Sequence, residues 1–326
     1  MPIGQHRPAA RPLAGWLASL APIVIIGGLL YAAFFVQVAP ELPAVEQPAV
    51  GPRDRFYGVT AIDGQLWAVG ALGKVVTSDD GGTRWRVQPT PLRTHLQGIA
   101  AWDARRLVAV GNAGAVLVSA DGGARWEAVD TPAADGRKFL RVRAFEPGVA
   151  WATGEYGMVL SSTDYGHSWQ EMMPAEDVGW NDVAVRDGRI LVVGEFGRIA
   201  RSDGGGQWQD VPSGVESSLT SVWLGPGLAL AVGLDGHVLR STDGGASWQP
   251  VPSGTREHLF SIEPGEGGFV AVGNRGVVLR GSADGTRWQA GRATDSDFAW
   301  RTSLARSDGH WVAAGQRLGP IHPPGT

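Results

Sequence analysis

The sequence predicts an all-β fold, a seven-bladed β-propeller of repeated units, preceded by one N-terminal transmembrane helix. Three observations carry the prediction. A signature ending in tryptophan recurs six times, with Trp85, Trp126, Trp169, Trp208, Trp248 and Trp288 standing 41, 43, 39, 40 and 40 residues apart. A second phrase, Ala68-Val69-Gly70-x-x-Gly73, runs in step with it and returns in a seventh, degenerate copy at Ala313-Ala314-Gly315. An uncharged stretch from Pro12 to Pro40 lies ahead of both. A fixed period near 40 residues marks a repeat architecture.

From the N-terminus onward, residues 1–12 form a cytoplasmic tail carrying Arg7 and Arg11. Residues 13–38 read as a membrane anchor, or an uncleaved signal. The apolar core from Trp16 to Val36 spans about 30 Å at a rise of about 1.5 Å per residue, the thickness of a bilayer's hydrocarbon. It is longer than the roughly 7–15 residues of a cleaved signal core, and no Ala-x-Ala site follows it. Arginines before it and Glu41 and Glu46 after it place the N-terminus in the cytoplasm. Residues 39–52, with Pro40, Pro43, Pro48 and Pro52, form a semi-rigid stalk. Residues 53–326 are the propeller, and the expected location is the bacterial inner membrane, single-pass, with the propeller in the periplasm.

Each repeat reads as four short apolar runs bounded by Gly, Asp or Pro. In the second these are Leu96 to Ala101, Leu107 to Gly111, Ala115 to Ser119 and Trp126 to Val129. Runs this short, rich in Val, Ile, Leu and Trp, are strands, and none has the length or period of an amphipathic helix. Glycine supplies 48 of the 326 residues, as many tight turns require. Four strands per repeat make a propeller blade, and seven Gly phrases make seven blades. The seventh begins near Phe298 and lacks a tryptophan signature and outer strand, so residues 41–50 are expected to add its missing edge strand.

The signature falls where strand three must reverse into strand four. Its complete form is Ser78-x-Asp80-x-Gly82-x-Arg84-Trp85, repeated around Asp121/Trp126, Asp164/Trp169 and Asp243/Trp248. Asp203/Trp208 has Arg201 in the leading slot with Ser202 beside it, and Asp284/Trp288 is one residue short. The Asp carboxylate accepts bonds from the turn's N–H groups, Gly takes φ > 0, and Trp buries its surface against the hairpin. These strings resemble Asp-box (BNR) repeats. With the Ala-Val-Gly-x-x-Gly phase they resemble the photosystem II stability/assembly factor-like propellers over roughly residues 53–320, as a membrane-anchored bacterial member. The resemblance implies a non-catalytic, protein-binding role in assembly or stability of a membrane complex. Propellers of this family also occur in non-photosynthetic bacteria near RND-type exporters, so the expected partner is an RND-type transporter or a photosystem-like complex.

Other function classes are excluded one at a time. A net charge of −4 without a basic, aromatic-interleaved stretch argues against nucleic acid. Cysteine is absent, removing disulfides and thiolate chemistry, and the seven histidines show no metal-ligand spacing. No cofactor, metal or small-molecule ligand is expected. The alternative, a glycan-binding or glycoside-hydrolysing envelope protein, needs a catalytic constellation. The nearest sialidase-like string, Phe196-Gly197-Arg198-Ile199, carries an inserted Gly and no Pro. The Asp-box carboxylates form a structural set, and the protein is not expected to be an enzyme.

The candidate site is the face opposite the boxes, where the Gly-x-x-Gly inserts and inter-blade loops vary from repeat to repeat. Function sits on loops held by a rigid frame. Glu155-Tyr156 and Glu195-Phe196 pair a carboxylate with an aromatic in adjacent blades, and Trp180 lies in the loop between them. Arg137, Lys138, Arg141 and Arg143 form the dense basic cluster. These nine residues are the expected partner-binding set.

Overall fold

A computed structural model describes residues 14–35, with side chains from Leu20, and residues 48–323 except 293 and 295. The chain divides into two compact units, Met1–Gln47 and Pro48–Thr326. The first holds helix α1, Ala14–Phe35, with Pro22 inside it. Among the described residues no helix is long and apolar enough to cross a membrane. The predicted anchor, 13–38, lies partly outside them.

The second unit is a ring of seven antiparallel sheets, six of four strands and one of three. Blade one is β1 (Phe56–Ile62), β2 (Gln65–Gly70), β3 (Val75–Ser78) and β4 (Arg86–Gln88), paired in chain order. Blades two to six repeat that order as β5 to β24. Blade seven is β25 (Arg301–Ser307), β26 (His310–Gly315) and β27 (Gly319–Ile321). Among the described residues it has no outer strand, in agreement with its missing signature. Of the segment expected to supply that strand, 41–47 lie outside the described residues and 48–50 form no strand.

The second strand of every blade is buried along nearly its whole length, as in Leu66 to Val69 and Leu107 to Val110. This is why these runs read as continuous apolar stretches: both faces pack on neighbouring blades. The first residue of each innermost strand opposes the Gly that ends strand two, in pairs such as Phe56 with Gly70, Leu96 with Gly111 and Trp180 with Gly194.

All six signatures sit in the turn between strands three and four. In the third, the Ser162 hydroxyl donates to Asp164 Oδ1 (2.8 Å), Gly166 N donates to Ser162 Oγ (2.9 Å), and Trp169 Nε1 donates to Gly166 O (3.0 Å). The loose fourth copy keeps the serine role but moves it. Ser202 receives Gly205 N at 3.0 Å, while Asp203 turns to Arg189 and Arg201. In the shortened sixth copy the Ser282 hydroxyl, then the Thr286 N–H, hold the Asp284 carboxyl down at about 2.

Each box also does a tertiary job. One glycine of each box is seated on the preceding blade, on the second-strand residue three places before that strand's terminal Gly. Gly123 sits on Trp67, Gly166 on Val108, Gly205 on Trp151, Gly245 on Leu191, Gly285 on Leu230, and Gly82 on Val312 of blade seven. The first box therefore closes the ring against the last blade. Innermost strands add to the closure: Val59 N donates to Ser303 Oγ (3.1 Å) and Thr302 Oγ1 to Tyr57 O (3.0 Å).

Candidate functional site

Strand direction puts the Gly-x-x-Gly turns and inter-blade loops on one face and the boxes on the other. On the first face, each turn holds its second x residue in the left-handed region. Leu72, Ala113, Tyr156, Phe196, Asp235 and Arg275 have φ of 56°, 55°, 55°, 55°, 58° and 48°. The conformation is imposed by docking of the turn on the next inter-blade loop. In blade four a Cβ at Gly197 (φ 70°) would run into the Val215 carbonyl, so only glycine fits there. A left-handed residue favours Gly, Asn or Asp and costs a larger side chain about 1–2 kcal/mol. Leu72, Tyr156 and Phe196 are therefore not chosen by the turn. They stand 70%, 57% and 70% exposed, an apolar arc over blades one to four, with Asp235 and Arg275 in the slot beyond it.

The remaining predicted residues separate. Glu195 bends back to accept from Gly179 N at 2.8 Å, and Glu155 lies 3.8 Å from Lys138 Nζ. Arg137 is built into the frame: it donates to the carbonyls of Ala133 (2.7 Å) and Tyr156 (3.3 Å) and pairs with Glu171 (3.0 Å). Trp180 is not on the surface, contrary to expectation. It opens β13 (Trp180–Arg186), is fully buried, and lies under the Arg198 guanidinium at 4.9 Å from its ring. The slot explains this, because Phe56, Leu96, Phe139, Leu219 and Leu259 open their own innermost strands equally buried.

Arg141 and Arg143 also leave the face. They belong to β9 (Phe139–Ala144), whose alternate residues point at the propeller axis. Arg143 grips Asp182 in a two-pronged pair (2.9 and 2.7 Å) and reaches Glu263 on blade six at 2.8 Å. Asp182 has no exposure and accepts further bonds from the Ser221 hydroxyl (2.8 Å) and Val222 N (3.1 Å). Arg141 crosses the axis to the carbonyls of Phe260 (3.3 Å) and Thr302 (3.5 Å). Burial alone would raise the Asp182 carboxyl; the adjoining Arg143 charge and hydrogen bonds outweigh it and hold the group below its ordinary value. Two arginines and two carboxylates thus cancel at the axis, where Arg141, Arg143 and Glu263 line a cavity of about 250 Å³ together with Gly58, Gly98 and Ser303. Of the predicted basic patch, Arg141 and Arg143 are internal and neutralised, while Arg137 and the part-exposed Lys138 stay with the loops.

This axial pair also bears on chemistry. A glycosidase acid needs an accessible carboxyl held above its usual range. Asp182 is inaccessible and lowered. No group of metal-ligating side chains gathers among the described residues. Leu72 and the Asp182–Glu263 side of the hub were missed from sequence. Leu72 was legible, since it occupies the slot of Tyr156 and Phe196.

Ring, boxes and phase together define a β-propeller of Asp-box (BNR-type) repeats. Residues 83–211 match the family model described as photosynthesis system II assembly factor YCF48. Over those residues, about two-fifths of its length, the chain is similar to the photosystem II assembly factor propellers. None of the curated proteins matches it. A solved YCF48 bound to a D1 peptide aligns with TM-score 0.69 and 16% identity, over 82% of this chain and 93% of that one. YCF48 from Cyanidioschyzon merolae aligns with TM-score 0.67 and 14% identity, over 85% and 98%. The GH74 xyloglucanase from Xanthomonas campestris aligns at 0.65 and 17%, over 83% of this chain and 52% of its own. At these identities the structural likeness shows the fold alone.

Proposed function

We propose that this chain is a non-catalytic, protein-binding propeller serving the assembly or stability of a membrane protein complex, of the RND-type transporter or photosystem-like kind. The observation that carries the reading is the apolar arc of Leu72, Tyr156 and Phe196, large side chains held outward in turn positions that do not favour them. Exposed aromatics on a rigid frame are the usual anchors of protein interfaces. The family match adds weight, and the YCF48 structure bound to a D1 peptide is a relative in fold that takes a segment of another protein. Against hydrolysis stands the internal neutralisation of the axial carboxylates.

The test is recovery of a membrane protein on the immobilised full chain from detergent-solubilised membranes. The Tyr156→Ala/Phe196→Ala double variant is expected to lose at least nine-tenths of it, since two interface aromatics each contribute about 2 kcal/mol or more. Full retention by that variant would rule out this face. Cleavage of xyloglucan or an aryl glycoside by the chain would overturn the non-enzyme reading.

The same proposal places the chain on the bacterial inner membrane, propeller outward. Support comes from the uncharged run Pro12 to Pro40 and from α1, whose Ile23, Val24, Leu29 and Phe34 are exposed. Bathing such side chains in water is unfavourable by about 25 cal/mol per Å². The full chain is expected in the membrane fraction after alkaline carbonate washing, with the propeller cleavable by protease added to spheroplasts. Release by carbonate, or protection from that protease, would refute the placement.

A further inference from the structure

The apolar arc is not uniform in its surroundings, and the difference points to the chemistry of the partner. Beside Phe196 lies an open groove of about 740 Å³ between the Gly-x-x-Gly turn of blade four and its outgoing loop. Phe196 forms one wall, and Asp210 and Glu216 stand at its lip. The cation in this groove is already committed: Arg198 binds Glu176 at 2.7 Å and Asp210 at 3.2 Å. Glu216 and Asp177 are exposed and form no ion pair among the described residues. The sector around the two rings therefore presents aromatic faces together with uncompensated negative charge.

Blade five carries the same groove with other contents. There Asp235 replaces the aromatic wall, Arg256 lies among the lining residues, and His258 Nδ1 accepts from Asp235 N at 3.0 Å. The scaffold does not require an aromatic ring or an open carboxylate at this place. Their coincidence in blade four suits a ligand that satisfies both at once. A guanidinium or ammonium does so, because it is attracted to a ring face and pairs with a carboxylate.

We propose that the blade-four groove takes an arginine- or lysine-bearing segment of the partner, its cation lying over Phe196 and pairing with Glu216. The inference rests on the partner-binding reading above and adds the charge of what is bound. Tyr156 on blade three extends the same surface, so the segment runs across the two blades.

The test uses the full chain in detergent and three short fluorescein-labelled peptides, alternating Arg-Ser, citrulline-Ser and Glu-Ser, read by fluorescence anisotropy. Citrulline keeps the shape of arginine without its charge. The Arg-Ser peptide is expected to bind most tightly. Phe196→Leu, which keeps an apolar wall but removes the ring face, is expected to weaken it about tenfold. Glu216→Gln is expected to weaken it several-fold and to flatten its dependence on salt. Glu127→Gln on the exposed outer strand of blade two removes one negative charge elsewhere and is expected to leave binding unchanged. Equal binding of the Arg-Ser and citrulline-Ser peptides would overturn the proposal. So would an effect of Glu127→Gln as large as that of Glu216→Gln, which would mark general attraction to an acidic protein. If the Tyr156→Ala/Phe196→Ala variant loses its membrane partner while the Arg-Ser peptide does not bind, partner binding stands and the basic segment falls.

Discussion

Replacing Asp182 with alanine is expected to destabilise the propeller by about 3–5 kcal/mol, because it leaves the Arg143 guanidinium at the axis without its main counter-charge. That is a large part of the roughly 5–15 kcal/mol that holds a domain folded. Asp182 is the acceptor at which blades three, four and five meet, and Arg143 carries the link on to Glu263 of blade six. Chemical denaturation should show a lowered midpoint with little change in slope. A pH titration separates this charge effect from simple loss of packing. The Asp182 carboxyl is held below its ordinary value of 3.8 in the folded protein. As pH falls, the unfolded chain therefore takes up the proton first. The stabilisation is complete above about pH 4–5 and is lost as pH drops through the folded value. The alanine variant should lose this part of the acid-induced fall. An Asp182→Ala protein within about 1 kcal/mol of the parent would show that the hub does not hold the ring. Combining Arg143→Met with Asp182→Leu should cost less than the sum of the two single changes, since neither is then left facing the other's stranded charge, although the part-exposed Glu263 still loses its partner.

Replacing Trp67 with alanine is expected to cost a further about 3–5 kcal/mol, the range for truncating a buried aromatic. Trp67 has no exposure, packs in one cluster with Val69, Leu107 and Trp126, and donates from Nε1 to Gly122 O in the box of blade two at 2.9 Å. Truncation removes both the filling and the seat of the neighbouring box. Trp67→Phe keeps most of the buried area and loses the hydrogen bond, and should cost about 1–2 kcal/mol by the same denaturation measurement. Equal losses for Ala and Phe would mean that the hydrogen bond, not the seat, dominates.

Most of the fold was readable because each blade solves the same local problem. The Trp period counted six units, the Gly phrase counted seven, and the missing seventh signature matches a last blade of three strands among the described residues, which do not include 41–47 of the segment expected to add its edge strand. The box geometry followed from Ser, Asp and Gly in fixed spacing, since hydrogen bonds over four residues need no distant partner. Even the burial of Trp180 was present in the repeats. It shares a slot with Phe56, Leu96 and Phe139, and comparison of slots would have placed it inside.

The candidate site was legible where it depends on turn conformation and illegible where it depends on partners far along the chain. Tyr156 and Phe196 face outward because a left-handed turn residue projects from its own hairpin. Arg141 and Arg143 resemble a surface patch in one dimension. In the folded ring they meet Asp182, 39 residues beyond Arg143, and Glu263, 120 beyond it. Sequence periodicity thus set the number of blades, the strand order within each and the chemistry of every box, all of which are local or recur at one spacing. Tertiary structure decided which charges cancel, which box sits on which neighbour and which aromatics remain in water. Those outcomes depend on closing the ring, and no single repeat contains the information to close it.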